Sequence, residues 1–118
     1  MIYADRPILL DVATFCMYRL NIPIDINISI RECCLKEDNA MGWCYDDYDE
    51  EHGYDIELEE TLDPVELAET LCHEMVHIKQ FSQGKDANEK EAEKLETILY
   101  KEWRNHDEIF ISNSDIGC

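Results

Sequence analysis

Asp63-Pro64-Val65-Glu66-Leu67-Ala68-Glu69-Thr70-Leu71-Cys72-His73-Glu74-Met75-Val76-His77-Ile78-Lys79-Gln80 organises the reading of the whole chain. Its first four residues are a helix start: a capping aspartate, a proline at the first helical position and Glu66 placed to close a capping box. The spacing predicts a helix to about residue 83, stopped by Gly84, with an apolar arc of Val65, Ala68, Leu71, Cys72, Met75 and Val76. His73 and His77 lie outside that arc, on a stripe shared with Glu66, Thr70 and Gln80. Four residues apart on a helix, two side chains sit about 40° apart around the axis, so both imidazoles can converge on one Zn²⁺ ion. Glu74 flanks the pair and completes the H-E-x-x-H pattern, in which the glutamate works as a general base. The competing reading is a solvated helix face with two incidental histidines.

A catalytic zinc site needs a third protein ligand and an open fourth position. Past Gly84 the chain is rich in Glu, Lys, Leu and Ala, and a second helix is predicted from Ala87 to about Arg104 with Ala92, Leu95, Leu99 and Trp103 on its inner stripe. If the two helices form an antiparallel hairpin, a carboxylate in the first turn of the second can face the far half of the first. Glu89 is the chosen third ligand, with Glu93, Glu91 and His106 as alternatives. Capping decides part of this. If Asp86 caps the helix, Glu89 folds back onto the helix start, whereas if Asn88 caps, Glu91 closes the box and Glu89 is free.

Working back toward the N-terminus, residues 7–20 have helical spacing behind Pro7, with Leu9, Val12, Ala13, Cys16 and Leu20 on one side. Ile24, Ile26, Ile28 and Ile30 then alternate with polar residues, as do Met41, Trp43 and Tyr45, and Tyr54, Ile56 and Leu58. Three short antiparallel strands with an acidic outer face are expected, and residues 108–111 suggest an edge strand or docked coil. The fold class is α+β: an N-terminal helix, a three-stranded, mostly antiparallel sheet, the H-E-x-x-H helix and a following ligand helix. With 118 residues, no linker and no repeat, residues 1–118 form one domain.

Ten basic against 28 acidic residues leave a formal charge of −18, which would repel a phosphate backbone and disfavours nucleic acid as a direct partner. A peptide or protein substrate, a basic one in particular, fits that field. The acidic stretch from Asp46 to Glu51 is expected to be a solvated loop. No secretory signal and no membrane-spanning segment is visible. The six cysteines contain no C-x-x-C pair and are expected to be reduced thiols, which suits a cytoplasmic location, with Cys34 and Cys44 a minor candidate metal pair.

His73-Glu74-Met75-Val76-His77-Ile78-Lys79-Gln80, followed by Glu89-Lys90-Glu91-Ala92, resembles the small zincin metallopeptidases of the gluzincin type, including phage-encoded SprT-like proteins and the ImmA/IrrE-type peptidases. The resemblance covers residues 55–103. It implies that His73, His77 and Glu89 bind zinc and that Glu74 is the catalytic base, activating a zinc-bound water for peptide hydrolysis. SprT and Spartan peptidases use a third histidine, and none occurs here between His77 and His106, so the gluzincin pattern is the closer one. On this reading a substrate adds as a strand beside Tyr54–Glu60, where Asp55, Glu57 and Glu59 favour a basic peptide. Tyr54, Tyr100 and His106 are candidates for oxyanion stabilisation, and Glu93 and Glu96 for orienting the histidines. The alternative function is an acidic binding or regulatory protein, an inactive zincin or a nucleic-acid-mimicking decoy, whose zinc site is structural or vestigial.

Overall fold

A computed structural model describes residues 1–48 and 53–106 and the backbone course of 107–117. In chain order the elements are β1 (Ile2–Ala4), α1 (Pro7–Arg19), β2 (Ile28–Cys33), a single 3-10 turn (Lys36–Asp38), β3 (Gly42–Cys44), β4 (Tyr54–Glu59), α2 (Pro64–Ser82) and α3 (Glu89–Gly117). The α+β class stands, but the sheet differs from the expected one. It has four strands in the order β1-β2-β4-β3, and it is mixed. β1 pairs parallel with β2 and β2 parallel with β4, while β3 alone is antiparallel, to β4. A parallel pair needs a crossover, and α1 supplies it between β1 and β2. Alternation of apolar residues reports which face a strand buries and is silent on strand direction, so the sequence pattern fits both arrangements.

Strand limits shift for local reasons. The Ile24–Ile30 alternation begins too early: Ile26 N–H donates to Pro23 O in a turn, Ile24 is exposed, and pairing starts at Ile28. β1 is only three residues long, too short to show a period. Ile28, Ile30, Ile56 and Leu58 point to one face of the sheet and bury there against Leu9, Val12, Cys16, Leu71, Met75 and Ile78 of α1 and α2. Ser29, Arg31, Asp55 and Glu57 occupy the opposite face, away from the helices.

α2 starts as its sequence dictates, with Asp63 accepting a hydrogen bond from Glu66 N (2.8 Å) and Pro64 at the first position. It ends at Ser82, where Gly84 takes the left-handed backbone (φ 73°) that turns the chain back. α3 begins at Glu89, two residues later than expected, because Asn88 and not Asp86 is the cap: Asn88 Oδ1 accepts from Glu91 N at 3.1 Å. It runs antiparallel to α2, buries Ala92 and Leu99, and is tied to α1 by Trp103 Nε1 donating to Asp11 (2.8 Å) and by the Arg19–Glu102 ion pair (2.6 Å). Residues 108–111, expected as strand or coil, continue this helix. The acidic loop is exposed at Asp46, Asp47 and Tyr48; the rest of it, 49–52, lies outside the described residues. Among the described residues no helix is long and apolar enough to cross a membrane.

Candidate metal centre

The stripe that carries the two histidines is not a solvated face. His77 is 4% exposed, Gln80 2% and Thr70 8%, because α3 and β3 cover the side of α2 that the apolar arc leaves uncovered. The rings of His73 and His77 lie 4.9 Å apart, nearly perpendicular. Glu89 reaches across from the first turn of α3 and bridges both: its Oε2 is 3.0 Å from His73 Nε2 and its Oε1 2.9 Å from His77 Nε2. One ligand atom from each of His73, Glu74 and His77 also lies within 4.8 Å of the others. The two histidines are therefore common to two groupings, one with Glu74 on their own helix and one with Glu89 across from α3. Asn88, by capping α3, leaves Glu89 free to reach them.

Gln80, three residues along the same stripe from His77, determines what that ring requires, a role its spacing allowed and did not announce. Its amide clamps the backbone of Asn88: Nε2 donates to Asn88 O (3.1 Å), and Oε1 accepts from Asn88 N (3.0 Å). Those two backbone partners fix which end of the amide is oxygen, since a carbonyl only accepts and an N–H only donates. Nε2 also donates to Glu91 (3.0 Å). Gln80 Oε1 lies 2.8 Å from His77 Nδ1 and accepts a hydrogen bond from its N–H. A neutral His77 ring then has a bare lone pair at Nε2, facing a carboxylate oxygen 2.9 Å away. Two lone pairs at that distance repel unless a cation lies between them, either a proton or a metal ion. His73 is supported less closely, with Nδ1 3.6 Å from Glu96.

The donor set is the one zinc takes in His₂Glu sites. In a zinc tetrahedron, neighbouring ligand atoms stand about 3.3 Å apart, so the carboxylate sits only a few tenths of an ångström inside the separation such an ion would set. The residues fit the ion in donor type and number, with each histidine facing a different oxygen of the Glu89 carboxylate.

Glu74 differs from Glu89 in every respect. It is 5% exposed, and its Oε2 has no hydrogen-bond partner among the described residues. Burial pushes its carboxyl up to about 7; His77 opposes that rise, and Glu89 and Glu96 add to it. An unsatisfied buried carboxylate oxygen is rare enough to need an explanation, and catalytic groups are one of the few that recur. β3 lies close against it. A Cβ on Gly42 would come within 2.9 Å of Thr70 Cγ2 and 3.3 Å of Glu74 Cγ, so glycine there allows the sheet edge to lie beside the motif helix.

The other candidates are placed elsewhere. Glu91 is taken up by Gln80, Glu93 lines the cleft without touching either histidine, and His106 stacks near Phe15 of α1 at 5.6 Å. Tyr54 packs on Tyr48 and Phe81, and Tyr100 accepts from Arg104, so none of the three oxyanion candidates lines the cleft at His73. Cys34 and Cys44 belong to no metal-ligating group among the described residues, and the five described cysteines are free thiols.

The expected substrate platform is also corrected. β4 is an interior strand, paired on both sides, so no peptide can add to it. Asp55 and Glu57 are on the sheet face away from α2, where Glu57 accepts from Tyr45 OH (2.5 Å) and faces Arg31 (3.6 Å). Glu59 is buried and accepts from Leu35 N, Thr61 N and Thr61 Oγ1. The open edge next to the centre belongs to β3. There Tyr45 N and Met41 O bond to β4, which turns the backbone groups of Gly42 and Cys44 outward.

No known protein family, no curated protein and no solved structure matches this chain.

Proposed function

We propose that the chain is a zinc-dependent metallopeptidase of zincin-like build, in which His73, His77 and Glu89 hold the ion and Glu74 is the base. One observation carries this reading: Gln80 fixes His77 Nδ1 as a donor and turns Nε2 toward a Glu89 oxygen 2.9 Å away, and the other oxygen of the same carboxylate lies 3.0 Å from His73 Nε2, so both imidazoles converge on one carboxylate with room for a cation between them. The order of helix, sheet, motif helix and ligand helix supports it, and the free thiols suit a cytoplasmic setting. When bound, a zinc ion would supply Lewis acidity toward a peptide carbonyl and its attacking water.

The chain's own residues do the rest. Gln80 and Glu96 hold the imidazoles with Nε2 inward. Glu74, shielded from bulk water and lacking a partner for Oε2, takes a proton from the attacking water and returns it to the leaving amine nitrogen. The outward N–H and C=O groups of Gly42 and Cys44 offer an extended peptide two residues of ladder pairing, beside Glu74.

The charge of −18 favours a second reading, a binding protein that occupies a basic partner through an acidic surface. Glu74 separates the two, because a structural zinc site has no use for a general base. The test compares hydrolysis of a mixed peptide pool by the zinc-loaded chain and by Glu74→Gln. The metallopeptidase reading expects equal zinc content with turnover reduced by at least about 10³-fold in the variant. Unchanged turnover, or none in either protein, contradicts it.

A further inference from the structure

The cleft beside the centre, about 690 Å³ in volume, runs between α2, α3 and the chain entering β3, and its charge is of one sign. Two helical stripes face each other across it. α2 contributes Glu66, Glu69 and Glu74, and α3 contributes Glu89, Glu93 and Glu96, spaced by three, four or five residues so that each set falls along one side of its helix. Among the described residues no lysine or arginine lines the cleft. Glu89 is committed to the two histidines and Glu96 faces His73, but Glu66, Glu69 and Glu93 meet no cationic side chain among the described residues. A single-signed cleft with one low-dielectric wall concentrates the opposite charge.

Glu74, 5% exposed and with no hydrogen-bond partner for its buried Oε2 among the described residues, lines the same cleft. At the other end of β3, a depression lined by Trp43, Tyr45 and Phe81 carries Lys85 together with Asp46 and Asp86, so the cleft without a cation of its own is the one at the Glu66 end.

We infer that this cleft selects peptides with a lysine or arginine side chain on one side of the bond held at the centre, bound by Glu66, Glu69 and Glu93. The inference rests on the metallopeptidase reading for its substrate class and assigns the specificity to residues outside the metal set. The expected basic preference therefore survives, but its source moves from the sheet to the facing helices.

The test uses the zinc-loaded Glu74→Gln chain and three fluorescein-labelled peptides that are identical except for lysine, alanine or glutamate at one position, scanned along the sequence. At one register the lysine peptide should bind at least about tenfold tighter than the alanine peptide, with the glutamate peptide weakest. In Glu66→Gln/Glu69→Gln/Glu93→Gln the preference should fall to about twofold or less. Should the triple variant fold poorly by circular dichroism, the single variants Glu69→Gln and Glu93→Gln should each remove part of it. Equal binding of the three peptides, no binding of any, or an undiminished preference in the variants overturns the inference. Hydrolysis by the wild-type chain is read in parallel. Cleavage without charge preference removes the inference and leaves the peptidase, whereas charge-selective binding without cleavage does the reverse.

Discussion

Gln80 and Glu74 are the two side chains on which the centre turns, one through the partners it has and the other through the partner it lacks. Replacing Gln80 with leucine keeps the volume and removes the acceptor of His77 Nδ1–H, together with both bonds to the Asn88 backbone. Zinc affinity should fall about 10–100-fold in a competition titration, with His73, His77 and Glu89 all still present. Glu74→Gln should act oppositely on stability. A buried carboxylate with an unsatisfied oxygen is costly, and the neutral isostere relieves part of that cost, so the zinc-free variant should melt higher by about 1 kcal/mol equivalent in a denaturant titration.

Glu59 sets a pH window away from the centre. Its bonds from Thr61 and from Leu35 N hold its carboxyl down to about 2. A group whose folded value lies below its unfolded value, about 4.3 for glutamate, contributes stability above that value and loses it as the pH falls toward about 2. The slope of stability against pH between 4 and 2 should be visibly shallower in Glu59→Gln, measured by chemical denaturation at each pH.

At the scale of elements, what could be read from the chain divides by the range of the physics. Helix starts and stops are local, so Asp63-Pro64 and Gly84 bound α2 as anticipated, and the i, i+4 histidines needed only the helix to be brought together. Glu89 needed the hairpin as well, and Asn88 supplied the cap that freed it. Strand pairing is nonlocal. Neither the parallel direction of β2 and β4 nor the interior position of β4 leaves a trace in apolar alternation, which is why the acidic strand looked like a substrate platform and is none. Gln80 could be placed on the histidine stripe, but its role could not be read for a related reason: a glutamine on a helix gains meaning only when a second helix presents a backbone to it. Gly42 tests the contact between β3 and α2. Gly42→Ala places a methyl group 2.9 Å from Thr70 Cγ2 and 3.3 Å from the Glu57 carbonyl, so stability should drop by about 1–3 kcal/mol, and peptide turnover should fall as Glu74 is displaced.

For the whole molecule, 28 acidic residues against ten basic ones mean that the fold is held together against its own charge. Salt screens that repulsion, so the melting temperature should rise between 0.01 and 1 M sodium chloride, the reverse of a protein stabilised by surface ion pairs. A divalent ion bound at one point, where α2 and α3 are joined, should stabilise far more than its share of charge. At a free zinc concentration 100-fold above its dissociation constant the gain is about 2.7 kcal/mol. Magnesium, which prefers an octahedron of oxygens, should not reproduce it.

The most direct test of the central claim is calorimetric titration of the metal-free chain with zinc, set beside His77→Ala and Glu89→Ala. The account requires one equivalent bound by the wild-type chain and binding lost, or weakened by at least about 100-fold, in each variant. A wild-type chain that takes up no zinc, or variants that bind as tightly as it does, would contradict the assignment of His73, His77 and Glu89 as the metal site.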